Sequence, residues 1–440
     1  KEEEELYYKD TNLKHIIKVS PYNMSNKHKI PSYIVENIES KYPKEVACNL
    51  SNLTWEEFEA LGKSYDGEYK VSYNPSRPVF CAYTSGSTGP SKQVIHSSAN
   101  IVGIIHQTAY FTSTIQIRLN WLMTCLPPAL VAVTVAMILT PIASNQLLIL
   151  DPFCLVEDLD LELMRHKPNC WPLIPQFIDV LVNSKRIPED FSLEYLYCIG
   201  SGAEALNNKQ IRTMQKFLKN HKCNSFFSVG YGMSEGGSAF TMPCEAKPIE
   251  GCCCGMPMPA TTLGIFDSKT NEEVDAGELG EICKHGPGIM LSYQDEESTH
   301  KVLQCHEDGK IWMHTGDYGY MTEDGALYVM GRGLPERVTG GYLFAVPMEN
   351  KICDIEGIND AFFVVADDVE NEGYYLPYLY LVLEDGVRLE EVQTKINNAL
   401  EPHERPVKTT IIDKRPFFHF KTNRRGLASE IVAMQRTEEI

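Results

Sequence analysis

Short apolar runs alternate with helical stretches along most of the chain, beginning near Pro78. The runs that predict buried strands cover residues 79–83, 147–150, 196–199 and 226–229, and helices are predicted after Ser98 and over residues 159–165 and 208–218. Alternation of strands and helices is typical of layered α/β sheets whose strands are largely parallel. The pattern therefore predicts the α/β class for this region.

The pattern changes twice beyond this region. After Gly251 the predicted strands lie closer together, with Gly, Pro and Asp turns between them, which indicates a smaller antiparallel or mixed sheet. From about residue 333, strands at 361–365, 378–383 and 409–412 and a helix at 389–400 predict a small, mobile α+β domain. We therefore expect a large N-terminal domain over residues 1–332 and a C-terminal lid domain over residues 333–440.

The most apolar stretch, residues 121–150, is interrupted by Pro127, Pro128 and Pro141. Buried strands and a core helix are expected there, and no membrane span, because prolines disrupt long helices. At the N-terminus, the first five residues are KEEEE, which is not the apolar core of a signal peptide.

Composition narrows the possible partners. The net charge is −19, which argues against a nucleic-acid-binding surface and against docking on an anionic membrane. Small anionic ligands remain possible, since a glycine-rich loop can bind phosphate locally. The fourteen cysteines form no CxxC pair, so reduced thiols and a cytoplasmic location are expected.

The most informative segment is YTSGSTGPSKQV at residues 83–94. Its glycines and hydroxyls provide a loop of backbone N–H and O–H donors for an oxyanion, and Lys92 adds a positive charge. It is not the common GxxxxGK[ST] phosphate loop. On this segment alone, a flexible surface turn remains an alternative.

Four later segments carry further candidate chemistry. They are GSGAEAL at 200–206, GYGMSE at 230–235, WMHTGD at 312–317 with Gly-Arg at 331–332, and FKTNRRGL at 420–427. Each is a weak signal alone, and the last could be a basic surface helix. Together with the loop, and in this order, they resemble the signature of the adenylate-forming enzymes: acyl-CoA synthetases, peptide-synthetase adenylation domains and beetle luciferases. The resemblance covers residues 75–430 and is closest to the acyl-CoA synthetases.

The resemblance implies an ATP site. The residues that would grip the β- and γ-phosphates are Thr84, Ser85, Gly86, Ser87, Thr88, Gly89 and Lys92. Those implied to lie along the adenine or the α-phosphate are Gly202, Ala203, Glu204, Tyr231, Gly232, Met233 and Ser234. Tyr231 would stack on the adenine, and Glu235 would hold Mg²⁺, a cation that prefers oxygen ligands.

The resemblance also implies the residues near the reaction itself. Asp317 would accept both ribose hydroxyls, Arg332 would contact ribose and phosphate, and Lys421 would bridge the substrate carboxylate and the α-phosphate. Gly341 would line the path of the thiol. Three departures from the family pattern stand out: a shorter segment before the phosphate loop, Phe420 in place of a glycine, and Pro335 after the Gly-Arg pair.

The expected reaction joins a small carboxylic acid to a thiol, with CoA as the preferred acceptor. Residues 126–134 carry no carboxylate to pair with an α-ammonium group, so a substrate other than an amino acid is favoured. Alternatives left open are loading of a separate carrier protein, an enzyme that stops at the adenylate, and a nucleotide-binding scaffold without full catalysis.

Overall fold

The computed structural model describes residues 14–19, 30–41, 51–84, 91–113, 115, 117–151, 154–244, 251–418 and 421–437. Residues 1–73 and 74–440 form two compact units. In the first, strands His15–Lys18 and Ser51–Thr54 pair in parallel, and helices span Ser32–Lys41 and Trp55–Ser64. The second helix begins with a reciprocal pair of hydrogen bonds between Thr54 and Glu57, which supplies partners for N–H groups at the helix start.

A parallel sheet lies at the centre of the second unit. In spatial order its strands are Leu147–Asp151, Asn120–Thr124, Cys170–Leu173, Cys198–Ser201 and Phe227–Val229. The helices that pack with it are Leu159–His166, Pro175–Val182 and Asn208–Asn220. Trp171, Phe177 and Phe227 are fully buried in the shared core, as expected for a sheet covered by helices. The predicted α/β class is confirmed.

The apolar stretch at residues 121–150 contains strands, as predicted, and helical turns between them. A π-helical segment, Val133–Leu139, leads without a break into the short helix Thr140–Ala143, which contains Pro141. Among the helices of the described residues, none combines the length and apolarity needed to cross a bilayer.

The glycine-rich loop joins two antiparallel strands, Pro78–Tyr83 and Gln93–Ser97. The second of these was not predicted. It also pairs with Ser292–Tyr293, and helix Ser98–Ser113 follows it. The hairpin therefore connects the loop to a segment two hundred residues further along the chain.

An antiparallel sheet follows the parallel one, as predicted. Its strands are Thr262–Phe266, Gly280–His285, Leu303–Cys305, Ile311–Met321 and Leu327–Arg332. Shorter elements nearby are the strand pairs Gly232–Met233 with Ser238–Ala239 and Thr241–Met242 with Met256–Pro257, helix Glu296–Val302, and the 3₁₀ turns Val156–Asp158 and Ser234–Gly236.

The C-terminal segment has its own core and the predicted α+β pattern. Strands Ile358–Asp367 and Tyr375–Leu383 pair antiparallel, and Lys408–Ile411 adds in parallel. The remaining elements are helices Ala345–Cys353, Leu389–Ala399 and Arg424–Thr437, the hairpins Glu336–Val338 with Gly341–Leu343 and Phe417–Phe418 with Lys421–Thr422, and the 3₁₀ turn Pro402–Glu404. The domain boundary after Arg332 stays a prediction.

Candidate active site

Two candidate segments meet at the carboxyl edge of the parallel sheet. Strands Cys198–Ser201 and Phe227–Val229 run in parallel, so the residues that follow them, 202–204 and 231–235, emerge at the same edge. Ala203 has a φ of +70°, which lets the chain turn sharply after the first strand. At Gly232, a Cβ atom would lie 2.1 Å from the Ser238 carbonyl oxygen, so a side chain does not fit there.

Asp317 and Arg332 face each other across the antiparallel sheet. They are direct partners in the strand register, and Arg332 Nη1 lies 3.2 Å from Asp317 Oδ1. The Tyr231 hydroxyl donates to Asp317 Oδ2 at 2.7 Å. Burial raises the pKa of Asp317, while Arg332 and Tyr231 counteract that shift. The three residues therefore form one cluster, in which the carboxylate and the phenol are buried and the guanidinium is half exposed.

Tyr231 contributes to this cluster through its hydroxyl. Burial and the Asp317 charge raise the pKa of Tyr231, so it stays a neutral donor. Its ring meets Phe240 edge to face, with centroids 5.4 Å apart. The stacking of this ring on an adenine stays a prediction.

Glu235 lies in a 3₁₀ turn and is buried, with 5% of its surface exposed. The Tyr293 hydroxyl donates to Glu235 Oε1 at 2.6 Å. The turn is held by His96 Nε2, which lies 2.8 Å from the Ser234 carbonyl oxygen, and by the Met290 N–H, which donates to the Glu235 carbonyl at 2.8 Å. A hydroxyl stabilises a buried carboxylate without neutralising it, so the site suits a bound cation such as Mg²⁺.

The ends of the glycine-rich loop are held together by backbone and side-chain bonds. Thr84 N–H donates to the Lys92 carbonyl, and Lys92 N–H donates to Thr84 Oγ1, both at 2.9 Å. Lys92 Nζ lies 4.9 Å from the centroid of the Tyr293 ring, which connects the loop to Glu235. Ser85, Gly86, Ser87, Thr88 and Gly89 lie outside the described residues.

Lys421 begins a short strand that brings the C-terminal segment to the sheet edge. The N–H of the next residue, Thr422, donates to Glu204 Oε1 at 3.0 Å. Glu204 belongs to the candidate adenine segment, so this bond joins two of the predicted motifs directly. Phe420, the departure noted in the sequence, lies outside the described residues.

The ammonium group of Lys421 shares an electrostatic neighbourhood with the other candidate residues. Burial lowers the pKa of Lys421, and Arg332 acts in the same direction, while Glu204, Asp317 and Glu235 oppose the shift. Burial lowers the pKa of Arg332, but the negative charge of Asp317 has the opposite effect and keeps that pKa above its usual value. Cations and carboxylates from distant parts of the chain thus surround one region, an arrangement suited to a polyphosphate with its metal ion.

Gly341 makes its contacts elsewhere. It pairs with Val338 in a hairpin of the C-terminal segment, and a Cβ atom at Gly341 would lie 2.6 Å from Cδ2 of His403. Its predicted role in guiding a thiol stays a prediction.

Sequence reasoning missed Lys284, which supports the turn that carries Glu235. Lys284 is 1% exposed, and its Nζ donates to the carbonyls of Gly236 at 3.1 Å and Pro287 at 2.7 Å. Burial lowers the pKa of Lys284 to about 7. The only signal in the sequence is a lysine within an apolar strand.

A second support, also missed, lies behind Asp317. Glu281 Oε1 accepts the Gly316 N–H at 2.9 Å, and Glu281 Oε2 lies 2.9 Å from His314 Nδ1. His314 Nε2 lies 2.9 Å from Nε2 of His306, which stacks on Trp312. His306 and His314 thus belong to the contacts behind the strand that carries Asp317.

The chain is similar to known proteins over most of its length. Residues 7–294 match the family model described as "AMP-binding enzyme". A 4-coumarate–CoA ligase 2 from Nicotiana tabacum is 26% identical over 336 residues, 74% of this chain and 60% of that protein. A 4-coumarate–CoA ligase from Vanilla planifolia is 24% identical over 392 residues, 87% of this chain and 67% of that protein. The chain thus spans less than two thirds of the tobacco relative.

Solved structures share the fold. ATP-bound MatB from Rhodopseudomonas palustris superposes with a TM-score of 0.74 at 18% identity, over 90% of this chain and 76% of that one. The anthranilate CoA ligase AuaEII, in complex with anthranoyl-AMP, gives 0.75 at 16% identity, over 98% and 81%. At such identities the likeness establishes the fold alone.

Proposed function

The chain belongs to the AMP-binding enzyme family, and from this premise we propose that it activates a carboxylic acid with ATP and transfers the acyl group to a thiol. The observation that carries the proposal is the position of Lys421. The next residue, Thr422, is hydrogen-bonded to Glu204, and the charges of Asp317, Arg332 and Glu235 act on the Lys421 ammonium. An adenylating enzyme needs such a cation beside the reacting phosphate.

In this proposal the nucleotide lies along the carboxyl edge of the parallel sheet. The loop between Thr84 and Lys92 binds the β- and γ-phosphates, and Asp317 accepts hydrogen bonds from the ribose hydroxyls. Residues 202–204 and 231–234 line the adenine and the α-phosphate. Tyr231 and Arg332 orient the Asp317 carboxylate, since both already contact it.

The first step forms an acyl-adenylate. A substrate carboxylate oxygen attacks the α-phosphorus of ATP, and the bond to the leaving pyrophosphate breaks. Negative charge on the α-phosphate and the attacking carboxylate is offset by Lys421, while Arg332 contacts the ribose and phosphate. Mg²⁺ held by Glu235 would supply charge neutralisation at the phosphates.

The second step transfers the acyl group to a thiol, for which CoA is the preferred acceptor. The sulfur attacks the carbonyl carbon of the mixed anhydride and AMP leaves, so no enzyme nucleophile is required. The C-terminal segment rotates about the chain that follows Arg332, which moves Lys421 away and brings Gly341 to the thiol path. We place this activity in a reducing compartment such as the cytoplasm, because every described cysteine is a free thiol.

The proposed substrate is an acid without an α-amine. The chain after strand Asn120–Thr124, residues 126–134, offers aliphatic side chains and no carboxylate. The names of the relatives make aromatic acids the first candidates, and 4-coumarate heads the panel to be tested.

The decisive experiment is ATP–pyrophosphate exchange with purified full-length chain over a panel of carboxylic acids with Mg²⁺. Exchange that depends on one acid, followed by AMP release when CoA is added, supports the proposal. If exchange occurs but a thioester forms only when a carrier protein is added, the acceptor is the carrier protein and not CoA. Nucleotide binding with no exchange for any acid would contradict catalysis and favour a scaffold.

A further inference from the structure

A second cluster of ionisable side chains lies at the opposite edge of the parallel sheet from strand Phe227–Val229. Asp151 is the last residue of the edge strand Leu147–Asp151. Glu162 and His166 lie one turn apart on helix Leu159–His166 and face the same point. One ligand atom from each of the three residues lies within 4.8 Å of the others.

Glu162 and His166 approach each other closely within this cluster. Glu162 Oε2 and His166 Nε2 are 2.9 Å apart. Both atoms are buried, yet neither forms a properly directed hydrogen bond with any residue that the structure describes. The cluster offers the imidazole nitrogen and carboxylate oxygens that Zn²⁺ takes as ligands.

The charges of the cluster also call for a cation. Glu162 is 7% exposed, so its carboxylate has lost most of its contact with water. The Arg165 guanidinium lies 3.7 Å from Glu162 Oε1, and its side chain is 62% exposed. It therefore offsets little of the free-energy cost of burying the Glu162 carboxylate.

We propose that Asp151, Glu162 and His166 form a binding site for a divalent transition-metal ion, for which Zn²⁺ is the fitting probe. An imidazole nitrogen with two carboxylates favours such an ion over Mg²⁺ or Ca²⁺, which take oxygen ligands. The ion would fasten helix Leu159–His166 to the edge of the sheet. This site is separate from the proposed nucleotide site and does not depend on the proposed function.

The test measures Zn²⁺ binding to the full chain after removal of metals, by competition with a chromophoric chelator. We expect Glu162→Gln to weaken binding of one Zn²⁺ by at least about 100-fold, because loss of a ligand costs no less than loss of its supporting contacts. Glu157→Gln, a change at an exposed carboxylate just before the helix, serves as the matched control and should leave binding intact.

Unfolding and spectroscopy complete the test. Zn²⁺ should raise the unfolding temperature of the wild type and of Glu157→Gln, but not that of Glu162→Gln or Asp151→Asn. Both amide variants relieve repulsion between acids, so they should fold without metal. Equal binding by wild type and Glu162→Gln overturns the proposal. So does a Co²⁺ complex with strong thiolate absorption, because Cys125 and Cys154 lie nearby and would then be the ligands.

Discussion

At the scale of single residues, Lys421 is the side chain on which the proposed chemistry depends most. We expect Lys421→Ala to slow adenylate formation by about 100- to 1,000-fold, since one charge-stabilising donor is lost. Thioester formation from supplied acyl-adenylate should be spared, because the lysine has no role after rotation. Single-turnover assays of the two half-reactions measure both rates.

The exposed Lys414 provides the control for that experiment. Lys414→Ala removes the same kind of charge from the same segment and should leave both half-reactions unchanged. Equal losses in the two half-reactions of Lys421→Ala would contradict the assigned role.

Substitution of Asp317 should weaken nucleotide binding. Asp317→Asn keeps the shape of the side chain but removes the charged acceptor, and we expect ATP to bind about 10- to 100-fold more weakly. Titration calorimetry measures the affinity, and the unfolding midpoint reports whether the variant is folded. A folded variant with unchanged ATP affinity would count against the placement of the ribose.

The buried Lys284 should make the stability of the fold depend on pH. Its pKa is about 7 in the folded chain and near 10.5 when unfolded, so between these values the unfolded state binds the extra proton. Its contribution to the free energy of unfolding therefore rises with pH in this window, by about 1 kcal/mol per pH unit, and is lowest below pH 7. In Lys284→Met this rise should vanish.

Urea unfolding of wild type and Lys284→Met at pH 7 and pH 9 tests that sign. The stability of the wild type relative to the variant should increase from pH 7 to pH 9. A difference that is constant, or that shrinks, would show that Lys284 keeps an ordinary pKa.

At the scale of elements, Gly232 shows how closely the chain is packed around the site. Gly232→Ala would place a Cβ atom 2.1 Å from the Ser238 carbonyl, and we expect a loss of about 1–3 kcal/mol of stability. The matched control is Gly230→Ala, two residues earlier, where a Cβ would meet no atom within 4 Å. Denaturant unfolding compares the two, and equal stability would contradict the close contact.

Most helices and strands could be predicted, because the spacing of apolar residues within each segment is typical of a helix or of a strand. Strand Gln93–Ser97 was missed, since only two of its five residues are aliphatic and the loop was expected to lead directly into the helix after Ser98. Asp317 and Arg332 could be placed together through the motif that both belong to. The roles of Lys284 and Tyr293 could not be predicted. Lys284 binds a backbone carbonyl and Tyr293 a carboxylate that only the tertiary fold brings close to them.

At the scale of the whole molecule, helix Asn208–Asn220 docks the C-terminal segment against the larger part. Lys209 Nζ lies 2.8 Å from Glu384 Oε1, and the Asn208 N–H donates to Asn350 Oδ1 at 3.0 Å. Arg212 also pairs with Asp354. These contacts belong to the arrangement in which Lys421 reaches the candidate site.

Breaking one of these contacts should shift the balance between the half-reactions. We expect Lys209→Met to slow adenylation by up to about fivefold, as an ion pair near the surface is worth at most ~1 kcal/mol, and to leave thioester formation unchanged. The control is Lys301→Met, whose ion pair with Glu297 stays within one helix. Equal slowing by both variants would argue against docking as the cause.

The position of Arg332 at the end of its strand couples nucleotide binding to the proposed rotation of the C-terminal segment. Arg332 holds the carboxylate proposed to bind the ribose, and the next residue, Gly333, donates its N–H to the Gly316 carbonyl at 2.7 Å. The proposed pivot and the proposed sugar contact are thus neighbours in one piece of backbone. By reciprocity, a nucleotide that prefers one orientation of the C-terminal segment must itself bind more tightly in that orientation, so AMP release and the return swing are thermodynamically coupled.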